Sequence, residues 1–332
     1  MMEARPPAAT EAPPATSRWP PGSRVAVTGG CGFIGSHLVA QLVAAGVERV
    51  IVVDNRRFGS EGSLATQSED VTLISHDLGR DDRLALVPHF EGVEHLFHLA
   101  AVKHSGGTDD PELMITSNIL GTYAVLDAAV RAGVRRVVFA SSLYVYGRLQ
   151  GPPCRESDPP AARTLYGISK LTGEQLLHLF HQRHNLEFAA LRFFFVYGPR
   201  QSTRTGYHPV IVKSLERLAT GEAPVIFGDG SQVLDYVYVE DAVRAAIAAM
   251  RSDLRAEVLN VGSGRAVTIS RLMEAMIRVS GHRLTPVHAE PDWTAGTQRV
   301  ADVNRIRAVL GWSPQVTLDE GLRRTYQWVL DR

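Results

Sequence analysis

The residues best suited to chemistry begin with Tyr166-Gly167-Ile168-Ser169-Lys170, which sets a phenol and an ammonium four positions apart. In a helix those positions share a face. A lysine charge there lowers a phenol pKa from its ordinary ~10, and a positively charged nicotinamide ring would lower it further. The resulting tyrosinate is a base that can take the proton of an alcohol while hydride leaves the same carbon. Taken alone, the pair reads better as surface residues of an amphipathic helix. The segment Phe139-Ala140-Ser141-Ser142 changes that balance, because it ends an apolar strand-like run and puts the Ser142 hydroxyl at its carboxyl edge. Ser142 precedes Tyr166 by 24 residues, enough for a loop to bring the two together.

A second constellation binds rather than reacts. Gly29, Gly32 and Gly35, in Thr28-Gly29-Gly30-Cys31-Gly32-Phe33-Ile34-Gly35, follow an apolar run and open a helical stretch. Glycines at this spacing permit a tight turn and let backbone N–H groups approach a pyrophosphate seated on the helix N-terminus. The next apolar run ends in Asp54, 19 residues after Gly35. A carboxylate there accepts both ribose hydroxyls and repels a 2′-phosphate, which selects NAD over NADP. Asn55, Arg56 and Arg57 follow it, and an arginine can accommodate that phosphate.

These groups need a scaffold that brings several strand ends together. Strands are expected at Arg24–Thr28, Val50–Asp54, Val71–Ser75, His95–Leu99, Arg136–Ala140, Phe188–Arg192 and Val258–Val261. Helical stretches such as Gly35–Ala45, Leu113–Ala132 and Tyr166–His184 alternate with them. The alternation predicts an α/β fold, a doubly wound parallel sheet of the Rossmann type, with a smaller C-terminal lobe over the crevice. Residues 23–192, with 237–263 returning to them, are assigned to the NAD-binding domain. Residues 193–236 and 264–332 are assigned to the substrate-binding lobe, and the Pro/Ala-rich residues 1–22 to a disordered tail. The apolar stretches are strand-sized, short of the ~20 residues of a membrane span. With 35 basic and 35 acidic residues the chain lacks the positive excess of a nucleic-acid binder. Two cysteines, Cys31 and Cys154, make no disulfide framework. The twelve histidines show no metal-ligand spacing. A cytoplasmic protein binding no metal, membrane or nucleic acid is expected.

With these motifs in order, the chain resembles an extended short-chain dehydrogenase/reductase of the NAD-dependent epimerase/dehydratase family. Its pattern is most like that of the UDP-galactose (UDP-glucose) 4-epimerases. The likeness runs from about Arg24 to about Leu330 and also rests on His98-Leu99-Ala100-Ala101, Ser141–Gly147, Arg192–Arg200, Ile226–Asp241, Asn260–Gly264 and Leu310-Gly311-Trp312. The resemblance implies that Gly29, Gly32, Phe33, Ile34 and Gly35 hold the NAD pyrophosphate. Asp54 and Asn55 then meet the adenosine ribose, and Asp77 and Leu78 flank the adenine. Leu99, Ala100, Ala101 and Lys103 line the path to the nicotinamide. Ser142, Tyr166 and Lys170 are the implied catalytic residues, with Lys170 also on the nicotinamide ribose. The implied reaction oxidises a sugar hydroxyl of a nucleotide sugar to a ketone, turns the ketone, and returns hydride to its other face. The helices Leu113–Ala132 and Tyr166–His184 correspond to a homodimer four-helix bundle, with Leu120, Leu171 and Leu179 at the contact.

The sequence also departs from the family. Dehydratases carry Asp-Glu after the catalytic hydroxyl residue, where this chain has Leu143 and Tyr144, so elimination of water is not expected. Phe195 stands where epimerases often have an Asn touching the diphosphate, and Leu234 where they often have an Arg. Arg200, Arg204 and Arg299 are candidates to supply that charge, and Ser142, Phe195, Arg200 and Arg299 are the substrate candidates. His98 is expected as a packed structural residue, Cys31 as a small filler, Phe193, Phe194 and Phe195 as lobe core, and His104 as a group facing substrate or solvent. Two other activities fit the same residues: a dehydrogenase or reductase that releases NADH, and a non-catalytic NAD-binding module. Intact Ser142, Tyr166 and Lys170 weigh against the module.

Overall fold

Seven parallel strands dominate the computed structural model, which describes residues 19–64, 69–103, 110–147, 151, 153–202, 209–291 and 295–332. They are β1 (Arg24–Thr28), β2 (Arg49–Asp54), β3 (Val71–Ser75), β4 (His95–His98), β5 (Arg136–Ser142), β6 (Glu187–Phe193) and a returning strand, Ala256–Val261. The order across the sheet is Ala256–Val261, β6, β5, β4, β1, β2, β3. The chain thus builds outward from β1 to β3, then crosses back to lay β4 on the other side of β1. The crevice beyond the carboxyl ends of β1 and β4 is the topological switch point, where such sheets bind ligands.

Both faces of the sheet are covered, so its strands are apolar nearly throughout. Val25, Val27, Val50 and Val52 join one buried cluster with Leu38, Val39 and Leu42 of α1 (Phe33–Ala44) and with Val243 and Ile247 of the helix Val239–Met250. Ala26, Ile51 and Val53, one residue out of phase, join a second cluster with Val125 and Leu126 of α2 (Pro111–Ala132) and Leu177 and Phe180 of α3 (Leu165–His184). A third cluster gathers Ile211, Leu215, Tyr236, Leu272, Met276 and Leu322, and so forms the core of the lobe.

Several expectations need correction. β5 runs to Ser142 and not Ala140, and β6 to Phe193, because Ser142 and Phe193 pair in register at the end of the ladder. α2 is 22 residues long and contains an 18-residue window of mean hydropathy 1.4, so one helix among the described residues does reach the length and apolarity of a membrane span. More than half of its apolar window is buried in the protein, which makes it a core helix. A π-helical turn, Ile115–Leu120, interrupts it. The proposed tail extends too far: Trp19 is buried, packs edge-on against His95 at 5.3 Å and lies under Arg251. Phe193 and Phe194 pack in the first sheet cluster, not in the lobe core, since they complete and follow β6.

Candidate active site

The site starts at the end of β1. Gly29 has φ +74, and a Cβ there would lie 2.6 Å from the Ala100 amide nitrogen, so the chain leaving β4 passes where only a glycine leaves room. α1 then begins at Gly32, with no side chain capping its first turn. Its N–H groups and dipole are left for an anion. Asp54 ends β2 beside this loop, accepting hydrogen bonds from the Cys31 amide (3.0 Å) and the Arg56 amide (2.7 Å). Burial raises its carboxyl pKa, and the two amide bonds oppose that. The Arg56 guanidinium is turned to Glu61 (3.1 Å) and Ser75 (3.0 Å), while Arg57 lies over the Phe58 ring. Asn55 donates to Asp77 (3.0 Å), tying the ends of β2 and β3.

Beyond β4 the loop Leu99–Lys103 is held by a residue that sequence reasoning missed. Asn118, in the π-helical turn, accepts from the Val102 amide (2.7 Å), donates to the Val102 carbonyl (3.0 Å) and donates to Ser169 (3.1 Å). It therefore links the cofactor loop to the helix of Tyr166. Nothing in the sequence set it apart from the other polar residues of α2, such as Thr116, Ser117 and Thr122. His98, buried, lies between Thr28 (2.7 Å) and Thr122 (2.9 Å). Thr122 already donates to the Asn118 carbonyl (2.6 Å), so it accepts from His98, whose Nε2 carries the proton while Nδ1 accepts from Thr28. Burial pushes the His98 pKa down to about 3, so it is a neutral structural bridge, as expected.

The candidate reactive groups come from β5 and α3. Ser142 is the last residue of β5, and its hydroxyl accepts from the Tyr144 amide (3.3 Å). Thr164 caps α3 through the Gly167 amide (3.0 Å), which puts Tyr166 in the first turn and Lys170 one turn on. The Tyr144 ring meets the Tyr166 ring edge-on at 5.7 Å. The Lys170 ammonium sits 4.9 Å from the centre of the Phe139 ring and 5.7 Å from that of Tyr166. Only 3% of Lys170 is exposed, and burial pulls its pKa down to about 7. Lys103 is also pulled down by burial.

One cleft of about 950 Å³ joins these parts. The glycine loop, Asp54, Asn55, Asp77, Leu78, Leu99–Lys103, Ser142, Tyr166 and Lys170 all line it, as do Phe195 and Arg200. Arg200, at φ +66, donates to the Ser36 carbonyl (3.3 Å) in the first turn of α1. Arg299 does not line the cleft; its guanidinium lies 5.1 Å from the centre of the Tyr144 ring, which does. Trp328 and Arg332 also line the cleft; nothing in the sequence pattern pointed to them. His104 and Arg204 lie outside the described residues.

This geometry has a counterpart among known proteins. Residues 25–262 match the model of the NAD dependent epimerase/dehydratase family. The chain belongs to that family. It is 35% identical over 311 residues to the UDP-glucose 4-epimerase of Mycolicibacterium smegmatis, covering 92% of this chain and 98% of that one. The crystal structure of the Thermotoga maritima UDP-glucose 4-epimerase with UDP-glucose superposes with a TM-score of 0.85 at 34% identity, over 92% of this chain and 98% of that one. The Thermus thermophilus UDP-glucose 4-epimerase in complex with NAD gives 0.82 at 33%, with the same coverage. The protein is accordingly an NAD-dependent enzyme of the epimerase type. The uncapped turn of α1, the close approach at Gly29 and the carboxylate of Asp54 fit that cofactor.

Proposed function

We propose that this family member is a nucleotide-sugar 4-epimerase acting on a UDP-linked sugar, with Tyr166 as base, Ser142 orienting the reacting hydroxyl and Lys170 supporting both Tyr166 and the cofactor ribose. One observation carries the reading: Ser142, Tyr166 and Lys170 open onto the same cleft as the glycine loop, while Leu143 and Tyr144 put no carboxyl group beside Ser142. Tyr166 takes the hydroxyl proton, held on line by Ser142, and gives it back after the sugar has turned. NAD held by the glycine loop and Asp54 would supply, at the sugar carbon, a hydride acceptor and then a hydride donor. Residues 23–192 and 237–263 hold NAD, and residues 193–236 and 264–332 hold the nucleotide sugar. Arg299 is the register partner of Leu234 across adjacent strands. It therefore returns to the lobe a positive charge close to the position where Leu234 lacks one, which supports it, with Arg200, as a diphosphate contact.

The protein works as a cytoplasmic homodimer. Ile115, Leu120 and Tyr123 on α2 and Ile168 and Leu179 on α3 are exposed apolar residues on two neighbouring helices, as an isologous four-helix contact requires. Leu171 is partly buried against the sheet cluster and so contributes less than expected. Cys31 and Cys154 are free and buried, which suits a reducing compartment.

The test is mass spectrometry of the small molecules that co-purify with the protein, then a screen of UDP-, dTDP- and GDP-sugars. Interconversion of a UDP-sugar and its 4-epimer without added NAD or accumulated NADH supports the reading. NADH released in proportion to substrate would make it a net dehydrogenase instead.

A further inference from the structure

Ser141 and Ser142 point to opposite sides of β5. The Ser141 hydroxyl donates to Glu174 Oε1 over 2.5 Å. Arg192 donates to the same carboxylate twice, from Nε to Oε1 (2.9 Å) and from Nη2 to Oε2 (2.7 Å). Both members of the pair are 5% exposed at the side chain. The guanidinium lies over the Tyr146 ring at 4.7 Å, and the Tyr146 hydroxyl donates to Asn260 Oδ1 (2.6 Å). Arg192 of β6 is the register partner of Ser141. Three elements thus meet at one carboxylate: the strand of Ser142, the strand beside it, and the helix of Tyr166 and Lys170.

A buried ion pair of this kind is no more stabilising than apolar residues of equal volume, so stability alone does not account for it. The spacing on α3 offers another reason. Glu174 stands four residues after Lys170, the separation at which a carboxylate and a lysine pair along a helix. Glu174 instead directs its oxygens to Arg192 and Ser141, and the Lys170 ammonium lies over the rings of Phe139 and Tyr166.

We infer that Arg192 is a positioning residue of the reaction: by holding Glu174 it keeps that carboxylate away from Lys170 and Tyr166 and fastens the helix of the base to the strand of Ser142. The inference rests on Tyr166 as base. Among the described residues, the other ionisable or charged groups around Tyr166 are Tyr144 with Arg299 over it, Lys103 beyond β4, and His98, which is neutral. Near Arg192 they are Tyr146 and, beyond it, Glu156, which accepts from the Asn260 amide. None of these is an anion placed to pair with Lys170, whereas Glu174 is.

The experiment titrates Tyr166 by ultraviolet tyrosinate absorbance, as each chain minus its Tyr166→Phe counterpart, and follows the acid limb of kcat alongside. Arg192→Met frees the carboxylate to meet Lys170, so the Tyr166 midpoint should rise by about half a pH unit or more and the acid limb should move to higher pH with it. Adding Glu174→Gln should return both toward the parent values. If the Arg192→Met chain does not fold, Arg192→Gln, which keeps a hydrogen bond to the carboxylate but no charge, takes its place with the same expected sign. A midpoint unmoved or lowered, with only thermal stability lost, overturns the inference. If the parent difference spectrum contains no tyrosine titrating below ~10, the assignment of the base fails instead, and the two failures are told apart.

Discussion

Replacing Lys170 by methionine should make the cofactor-free protein more stable while destroying its activity. Burial alone pulls the Lys170 pKa from 10.5 to about 7. At 1.36 kcal/mol per unit, the ammonium costs the fold about 5 kcal/mol below that pH. Methionine keeps most of the stem and its apolar contacts, but loses two cation–ring contacts, each worth up to about 2 kcal/mol where water is excluded. A net gain of about 1–3 kcal/mol remains, or about 1–4 °C in Tm for a chain of this length. The sign with pH follows from proton counts. The unfolded chain keeps the lysine proton to about pH 10.4, the folded one only to about pH 7. Between those values the unfolded state binds more protons, so the parent gains stability as pH rises and the variant has no such dependence. The gap in Tm should therefore be widest below about pH 7, vanish about one to two pH units above it and reverse toward about pH 10. Calorimetry of NAD-free protein across this range measures it, and added NAD should raise the parent Tm more than that of the variant. A Lys170→Met chain less stable than its parent at low pH, or a gap that does not narrow, would refute the reasoning.

Tyr166→Phe should keep the fold and NAD binding but lower turnover by roughly 10²–10⁴-fold; near-parental epimerisation of the true substrate would remove Tyr166 from the base role. Titration calorimetry should give tighter binding to NAD than to NADP, with Asp54→Ala narrowing the difference, because the Asp54 carboxylate repels a 2′-phosphate and Arg56 is occupied by Glu61 and Ser75; equal affinities in the parent would sink this. Leu120→Glu with Ile168→Glu puts charges on exposed apolar positions of α2 and α3 and should yield monomers in light scattering, where the parent gives dimers; a parent that is itself monomeric at micromolar concentration would contradict the proposed assembly.

The groups to which chemistry is assigned stand out in the sequence and line one cleft, because such chemistry fixes both type and spacing. A tight turn under a pyrophosphate demands Gly29, Gly32 and Gly35, and a helical base demands Tyr166 with Lys170 one turn on. What stayed hidden acts only through tertiary neighbours. Asn118 is a single polar residue until the π-helical turn brings it to Val102 and Ser169. Glu174 and Arg192 stand 18 residues apart and meet because β6 lies beside β5. Strand ends were misjudged by one or two residues for the same reason: Ser142 reads as the start of a loop, and its pairing with Phe193 makes it strand.

The substrate half was least legible, since two of its expected contacts, at Phe195 and Leu234, have been replaced. The distribution of charge along the cleft limits what those replacements mean. Asp54 and Asp77, the acidic side chains lining it among the described residues, both stand at the ends of β2 and β3, where the adenosine belongs. Toward the lobe the charged lining is Lys103, Lys170, Arg200 and Arg332. Arg332 pairs with Glu216 at 2.8 Å and lies over Trp328 at 4.5 Å, which holds its guanidinium at the wall. An anion laid from the lobe toward Ser142 therefore meets cations all along its path in a partly desolvated channel, where such contacts count for more than in water. A neutral sugar would leave that positive lining without an anionic ligand. On the proposed reading, the loss of an arginine at Leu234 changes which guanidinium meets the phosphates and leaves a cationic path for a phosphorylated substrate.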